Sequence, residues 1–284
     1  MPEQHSERSH GAVFNRVATE YQRSRPAYPE ELVTRACELG GLGPGDHVLE
    51  IGCGTGQLTR SLVARGLRVT AVEPGDQLIE QTRATLTDPH AVRFVHARFE
   101  DAELPRHLAA VFSAAAFHWL VPAVSWRRVA DVLAPGGTLA LLGHCGLAEE
   151  RSRADHAGLL AALANNAPEL VAGWPPLRDL DAIDAGVQAR RSDIAAVWAW
   201  LGAHDVEHPD AARLFGDVKL MTVPLLLEQT ADELNRLMRT TSYYQRLAPA
   251  QREGWERDNV MLHQRLGRPI RSSVLAVLVA AQRR

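Results

Sequence analysis

Lysine is almost missing from this chain. Lys219 is the only one among 284 residues, and arginine supplies the rest of the 31 basic side chains. Alanine is abundant alongside, so the arginine bias reads as high-GC coding rather than as a binding signal. Neither sign of charge is in excess: 34 acidic residues leave a formal net charge of −3, which gives no electrostatic case for a nucleic-acid partner. The three cysteines, Cys37, Cys53 and Cys145, are odd in number and lack paired spacing. That excludes a disulfide framework and a zinc site and suggests a reducing compartment. The histidines, His204 and His208 among them, come without a confirming ligand set, so no metal is expected. No uncharged stretch reaches membrane-spanning length, and the polar opening MPEQHSERSHG lacks the apolar core of a secretory signal. The expected location is therefore cytoplasmic.

What is present fits one enzyme-sized unit. Hydrophobic residues make up 46% and charged residues 23%, a soluble composition, and the length suits one large α/β domain with an insertion. The first eleven residues read as disordered. Segments near 12–21 and 29–39 read as helices, with Pro29 suited to a first turn. Strands are expected near 47–51, 68–72, 92–96, 109–115 and 137–142, the last launched by the turn Pro135-Gly136-Gly137, with helices between. Such alternation predicts a mostly parallel sheet covered on both faces. Helix 148–164 then opens a different pattern: a Pro- and Asp-rich loop and a tryptophan-bearing segment, Ile194–Leu201. A long strand Val218–Leu227, a capping box from Thr230 to Glu233 that starts a helix, a helix near 249–265 and a strand near 271–281 complete the reading. Residues 147–212 are expected to form a helical cap, or a plain surface hairpin, inserted between two parts of a core, 12–146 and 213–284.

The most specific stretch runs from Asp46 to Pro74. Val48 to Ile51 is an apolar run that enters a loop with Gly52, Gly54 and Gly56; an amphipathic segment and a second apolar run ending at Glu73 follow. This is a nucleotide-type βαβ unit. Its glycines let backbone turn and approach a ligand where a Cβ would clash. Glu73 lies 21 residues after Gly52, the place where a carboxylate meets ribose hydroxyls. The dinucleotide form is G-x-G-x-x-G, yet here the third glycine comes one residue early. Glu50 just before the turn is awkward beside a pyrophosphate but suits the cationic amino-acid end of S-adenosylmethionine (SAM). Local chemistry thus favours SAM over NAD.

VLEIGCGTG resembles the first motif of class I SAM-dependent methyltransferases. AVEP at 71–74, RFEDAELP at 98–105, AAAFHWLVP at 114–122 and VLAPGGTLALL at 132–142 agree with that resemblance. Together they are similar to the small-molecule branch that includes trans-aconitate methyltransferase-like proteins. The resemblance is close over 12–145 and loose over 218–284; 147–215 matches nothing specific. It implies a Rossmann-like fold with a mostly parallel seven-stranded sheet, SAM as cofactor with S-adenosylhomocysteine (SAH) as product, and a small-molecule acceptor.

It also implies site residues. Gly52, Gly54 and Gly56 form the floor under SAM, Glu50 faces its amino-acid end, and Glu73 with Pro74 faces the ribose. Phe99 and Glu100, at the end of the third strand, lie near adenine, or one of them caps the following helix. Ala114, Ala115 and Ala116 permit close approach to SAM. His118 and Trp119 lie near the methyl donor. His118 is either a base that takes a proton from the acceptor or a structural histidine in the pocket wall. In YQRSRPAYP, Tyr21, Arg25 and Tyr28 belong to a lid near the SAM carboxylate, with Tyr28, like Trp119, on its acceptor side, and Arg239, Thr241, Ser242 and Tyr243 in RTTSYYQRL line the substrate side, where Arg239 is placed to bind an anion. Trp174, Trp198 and Trp200 offer aromatic surface for an apolar acceptor. The expected function is SAM-dependent methyl transfer to a small molecule, with secondary metabolism as its setting. The alternatives are a non-catalytic SAM-binding regulator or partner subunit and, more remotely, an NAD-dependent oxidoreductase.

Overall fold

Near-continuous apolar runs, rather than alternating ones, are what a strand needs when both its faces are covered. Such runs form the centre of a seven-stranded sheet in the computed structural model, which describes residues 24, 26–171, 173–202 and 205–284. The strands are β1 (His47–Ile51), β2 (Arg68–Glu73), β3 (Val92–His96), β4 (Leu108–Ala114), β5 (Leu133–Gly146), β6 (Lys219–Gln229) and β7 (Ile270–Gln282). Their order is β3-β2-β1-β4-β5-β7-β6. The first five are joined in parallel, while β7 runs antiparallel to both β5 and β6. The mostly parallel seven-stranded expectation therefore holds. Pro224 lies within β6, an edge strand, where a missing N–H costs least.

Two boundaries differ from expectation. β5 begins at Leu133 instead of 137, because the register with β4 jumps from Leu108–Leu133 to Ala110–Thr138 and the Pro-Gly-Gly segment bulges inside the strand. β3 ends at His96, so Phe99 and Glu100 lie in the turn beyond it.

Period-two alternation divides the sheet between two cores. Val48, Phe112 and Leu278 face α1 (Glu30–Leu39) and α2 (Gln57–Ala64) through Leu32, Val33 and Leu62. Leu49, Val111, Leu141 and Val279 face the opposite way, toward Trp126 and Val129 of a helix at Pro122–Val132. That helix is α4; α3 spans Asp76–Thr85. Pro29 occupies the cap position of α1, next to its expected place. The expected helix near 12–21 lies outside the described residues.

The insertion is a run of short helices that differ in what they pack against. Between β5 and β6 run α5 (Glu150–Asn166), α6 (Pro168–Val171), α7 (Leu180–Gln188), α8 (Ile194–Gly202) and α9 (Pro209–Leu214). Ile183, Val187, Ile194, Val197, Trp198 and Ala211, on α7 to α9, belong to the same core as Leu141 and Val279 of the sheet. Helix α8 is apolar on most of its surface, and so it buries against the sheet rather than standing over it. After β6 come α10 (Ala231–Arg239), opened by the expected Thr230–Glu233 capping box, α11 (Ser242–Arg246) and α12 (Pro249–Leu266). Helices α5, α6 and α10 to α12 build two smaller apolar clusters beside the main core. Among the described residues no helix is long and apolar enough to cross a membrane.

Trp126 joins these parts. It is fully buried, its ring lies 4.6 Å from Phe117 and 6.2 Å from Phe215, and its indole N–H donates to the Val206 carbonyl at 2.8 Å. Trp126→Ala leaves a large cavity and an unpaired carbonyl. It is expected to cost about 3–5 kcal/mol of unfolding free energy by urea titration, and Trp126→Phe clearly less. Equal losses for the two variants would refute this account of its role.

Candidate functional site

The site is built where β1, β2 and β4 end. Leaving β1, the chain enters the glycine loop, held by a Gly52 N–H bond to Val72 O at 2.8 Å. Gly52 has φ +70°, and a Cβ there would sit 2.4 Å from Ala116 Cβ, so glycine is required for the loop to lie against the Ala114–Ala116 turn. Gly54, at φ +53°, has nothing within 4 Å of the point a Cβ would occupy; its backbone faces open space in the cleft. On the facing turn Ala115 itself is left-handed, at φ +49°, and its N–H donates to Leu142 O at 2.9 Å.

Two carboxylates are buried here. Glu73, at the end of β2, accepts from the Gly54 N–H (3.1 Å) and the Gly75 N–H (3.0 Å), one on each oxygen. Burial pushes its carboxyl above the usual range, while those two bonds and His96 pull it down. Glu50, in β1, is 1% exposed, and its Oε2 makes no hydrogen bond. Desolvation pushes it up to about 7, with Glu73 adding to the effect and the Thr59 hydroxyl and Arg60 opposing it. Glu50 lines a recess of about 30 Å³ with Tyr28, Gly52, Gly54 and Thr55, and Thr55 Oγ1 is also without a hydrogen-bond partner. Two buried polar atoms without hydrogen bonds thus stand beside one recess.

The recess adjoins a cleft of about 1370 Å³. Gly52, Gly54, Glu73, Pro74, Phe99, Glu100, Ala116, His118, Trp119 and Tyr243 all line it, so the structure brings these expected residues together. Phe99 lies under the Arg128 guanidinium, 5.6 Å from its ring centroid. Glu100 accepts from the Val121 N–H at 2.9 Å and so braces the N-terminus of α4. It reaches the cleft wall as well. The short turn Phe117–Trp119 buries Phe117 and presents His118 and Trp119, with their rings 4.8 Å apart. Gly56 caps α2. Tyr21 and Arg25 lie outside the described residues.

Three expectations need correction. Arg239 does not line the cleft: its Nε and Nη2 donate to Glu256 at 2.8 and 2.7 Å. Those bonds raise the Arg239 pKa and lower that of Glu256, which also accepts from the Tyr244 hydroxyl. Tyr28 lies in the Glu50 recess rather than on an acceptor surface, stacked on His144 with ring centroids 5.0 Å apart. Trp200 carries two guanidiniums over its ring, Arg178 at 4.2 Å and Arg190 at 5.1 Å, and is absent from the cleft wall, whereas Trp174 and Trp198 are part of it.

His144 and Arg246 also line the cleft, and sequence reasoning did not single them out. His144 had a signal: it stands near the carboxyl end of a parallel strand beside β4, the edge where open α/β sheets carry ligands. Arg246 had none, since only the packing of α11 brings it there.

Residues 49–141 match the protein family described as "Methyltransferase domain". Over 137 residues the chain is 36% identical to an uncharacterized methyltransferase of Mycobacterium tuberculosis (strain ATCC 25618 / H37Rv), a match covering 48% of this chain and 54% of that one. The match thus spans about half the length of its mycobacterial relatives. Among solved structures, a candidate type II methyltransferase from Anaeromyxobacter dehalogenans superposes with a TM-score of 0.56 at 21% identity, covering 91% of this chain and 97% of that one. A SAM-dependent methyltransferase from Thiobacillus denitrificans in complex with SAH gives 0.52 at 16% identity, covering 96% and 98%. The fold is that of the class I SAM-dependent methyltransferases, and its site-bearing part matches a methyltransferase domain.

The Glu50 environment has a measurable signature. Its folded pKa of about 7 lies above the ordinary 4.5, so between those values the native chain keeps a proton that the unfolded chain has lost. Its contribution to stability is fully present below the lower value and is lost as pH rises to the upper one. Glu73 acts in the same direction. Glu50→Gln is expected to flatten the slope of unfolding free energy across this window in urea titrations at stepped pH. A slope parallel to the parent's would refute the assignment.

Proposed function

We propose that this protein is a SAM-dependent methyltransferase acting on a small-molecule acceptor. One observation carries the reading: a glycine loop tied to a buried acid at the end of the next strand opens onto a cleft large enough for a cofactor and a second molecule. When bound, SAM supplies an electrophilic methyl group on a sulfonium and departs as SAH.

The chain's own residues then have separable tasks. Glu73 keeps lone pairs beyond those given to Gly54 and Gly75, and these accept from the ribose hydroxyls. Glu50 and Thr55, with Tyr28 beside them, receive the amino-acid end. There a cationic ammonium favours the ionised carboxylate that burial alone disfavours. Phe99 and Pro74 supply apolar surface for the base. Small side chains at 114–116 let the acceptor come close to the donor, and the surrounding walls exclude water. His118 is suited to take the acceptor's proton; as a wall residue it would only orient the acceptor. The slightly acidic net charge of −3 supports a small molecule over a nucleic acid.

The direct test is SAH formation from SAM by the purified protein offered pooled small-molecule acceptors. SAM binding with no turnover on any acceptor would favour the regulator reading, and no SAM binding would end both. Glu73→Ala removes hydrogen bonds to a charged acceptor worth about 1.5–3 kcal/mol. It is expected to weaken SAH binding about 10- to 100-fold by calorimetry, and unchanged affinity in a folded variant would overturn the ribose assignment. If His118 is the base, His118→Asn lowers kcat with SAH affinity nearly intact, and the pH–rate profile loses a limb near neutrality. A parental pH profile in that variant assigns His118 to the wall.

A further inference from the structure

The cleft continues beyond His118 and Trp119 into a chamber between α5, α10 and α12, walled by Leu159, Leu163, Leu234, Met238, Trp174 and Trp255. These side chains come from the two smaller clusters, and Met238 packs against both. Apolar walls of this kind tend to close on each other in water. Part of the wall does close, with α5 packing directly on α12, yet the cleft as a whole, about 1370 Å³, exceeds the roughly 300–1,000 Å³ of a usual ligand pocket.

The polar groups around this chamber are largely engaged with one another. Arg239 is paired with Glu256, and Arg268 with Asp155 at 2.8 and 2.9 Å. Glu169 accepts from Gln251 at 2.9 Å, and Asn259 donates to Asn235 at 2.8 Å, although its Oδ1 makes no hydrogen bond. His156, also in the wall, is pushed toward its neutral form by burial. Arg178 lies on the Trp200 face, and Arg246 is an exposed cation at the rim. The wall offers rings and aliphatic groups, including the edge-on pair Trp174–Tyr243 at 5.1 Å.

Resting on the methyltransferase reading, we infer that this chamber holds the body of the acceptor, and that the acceptor is a bulky, predominantly apolar molecule with an aromatic or polycyclic skeleton. A compact polycarboxylate, for which Arg239 was the expected anchor, finds that guanidinium taken by Glu256; of the arginines that do line the cleft, Arg98 is paired with Glu100 at 3.6 Å and Arg178 lies on Trp200. The acceptor's reacting atom is then directed toward the His118 end, with any polar tail at the Arg246 rim.

The test uses the uncharged fluorophore N-phenylnaphthylamine, titrated into the full-length protein saturated with SAH, with SAH binding measured separately by calorimetry. Saturable one-to-one fluorescence enhancement is expected. Met238→Glu should weaken it about tenfold or more while SAH affinity is kept. Trp174→Ala, a milder change, should weaken it too, which covers the case of a Met238→Glu chain that does not fold. Citrate should not displace the probe. SAH binding without saturable probe binding, probe affinity unchanged in folded Met238→Glu and Trp174→Ala, or displacement by citrate overturns this inference and leaves the cofactor reading standing. A parental protein that binds no SAH overturns both.

Discussion

The carboxylate of Glu73, buried at the end of β2 and bonded to the Gly54 N–H, is the constraint from which the rest of the site follows. An acid in that position is costly unless backbone donors surround it, and the donors nearest to hand are those of the glycine loop. The bond therefore fixes the loop, and the loop can lie there only by touching the Ala116 turn through Gly52. That turn runs straight into Phe117, which rests on Trp126, whose indole reaches Val206 beyond α8. A chain of direct contacts thus connects one acid at the sheet edge to helices far along the sequence. His118 owes its position at the cleft to this connection.

The cleft has two kinds of wall. Its floor comes from strand ends and their turns, tied by backbone hydrogen bonds, and carries buried carboxylates. Its far side comes from helices whose charged groups satisfy each other before any ligand arrives, as in the Arg239–Glu256–Tyr244 set. A paired guanidinium has little left to offer a ligand, because removing it from its partner would strand a partly buried carboxylate. Under the proposed function, electrostatic recognition is concentrated at the floor, and shape dominates opposite it.

How much of this is legible in the sequence depends on the range of the interaction. The βαβ unit is readable because each of its cues, from the Val48–Ile51 run through the glycines to Glu73, lies within thirty or so residues and follows from local geometry. The Thr230–Glu233 capping box is readable for the same reason. Arg239 misleads because its partner, Glu256, stands on another helix, and nothing local distinguishes a guanidinium seeking a ligand from one already paired. Within the insertion, the Pro- and Asp-rich punctuation before Trp198 suggests a surface element. The run IAAVWAWLG is apolar all round, however, and such a helix belongs against a sheet. His144 escapes notice, although the end of β5 is where the fold opens.

The placement of β7 bears on the order in which the molecule can be completed. This strand follows the other six in sequence yet lies between β5 and β6, pairing with both. During synthesis, β5 waits with a bare edge and β6 has no neighbour in the sheet until Ile270–Gln282 emerges. Cooperative closure of the nucleotide-type half therefore precedes that of the other half, and β5 and β6, both rich in leucine, are the segments most exposed to mispairing in the interval. Pro224 in β6 is a natural brake on such mispairing, since a strand that lacks one N–H is a poor template for a stranger.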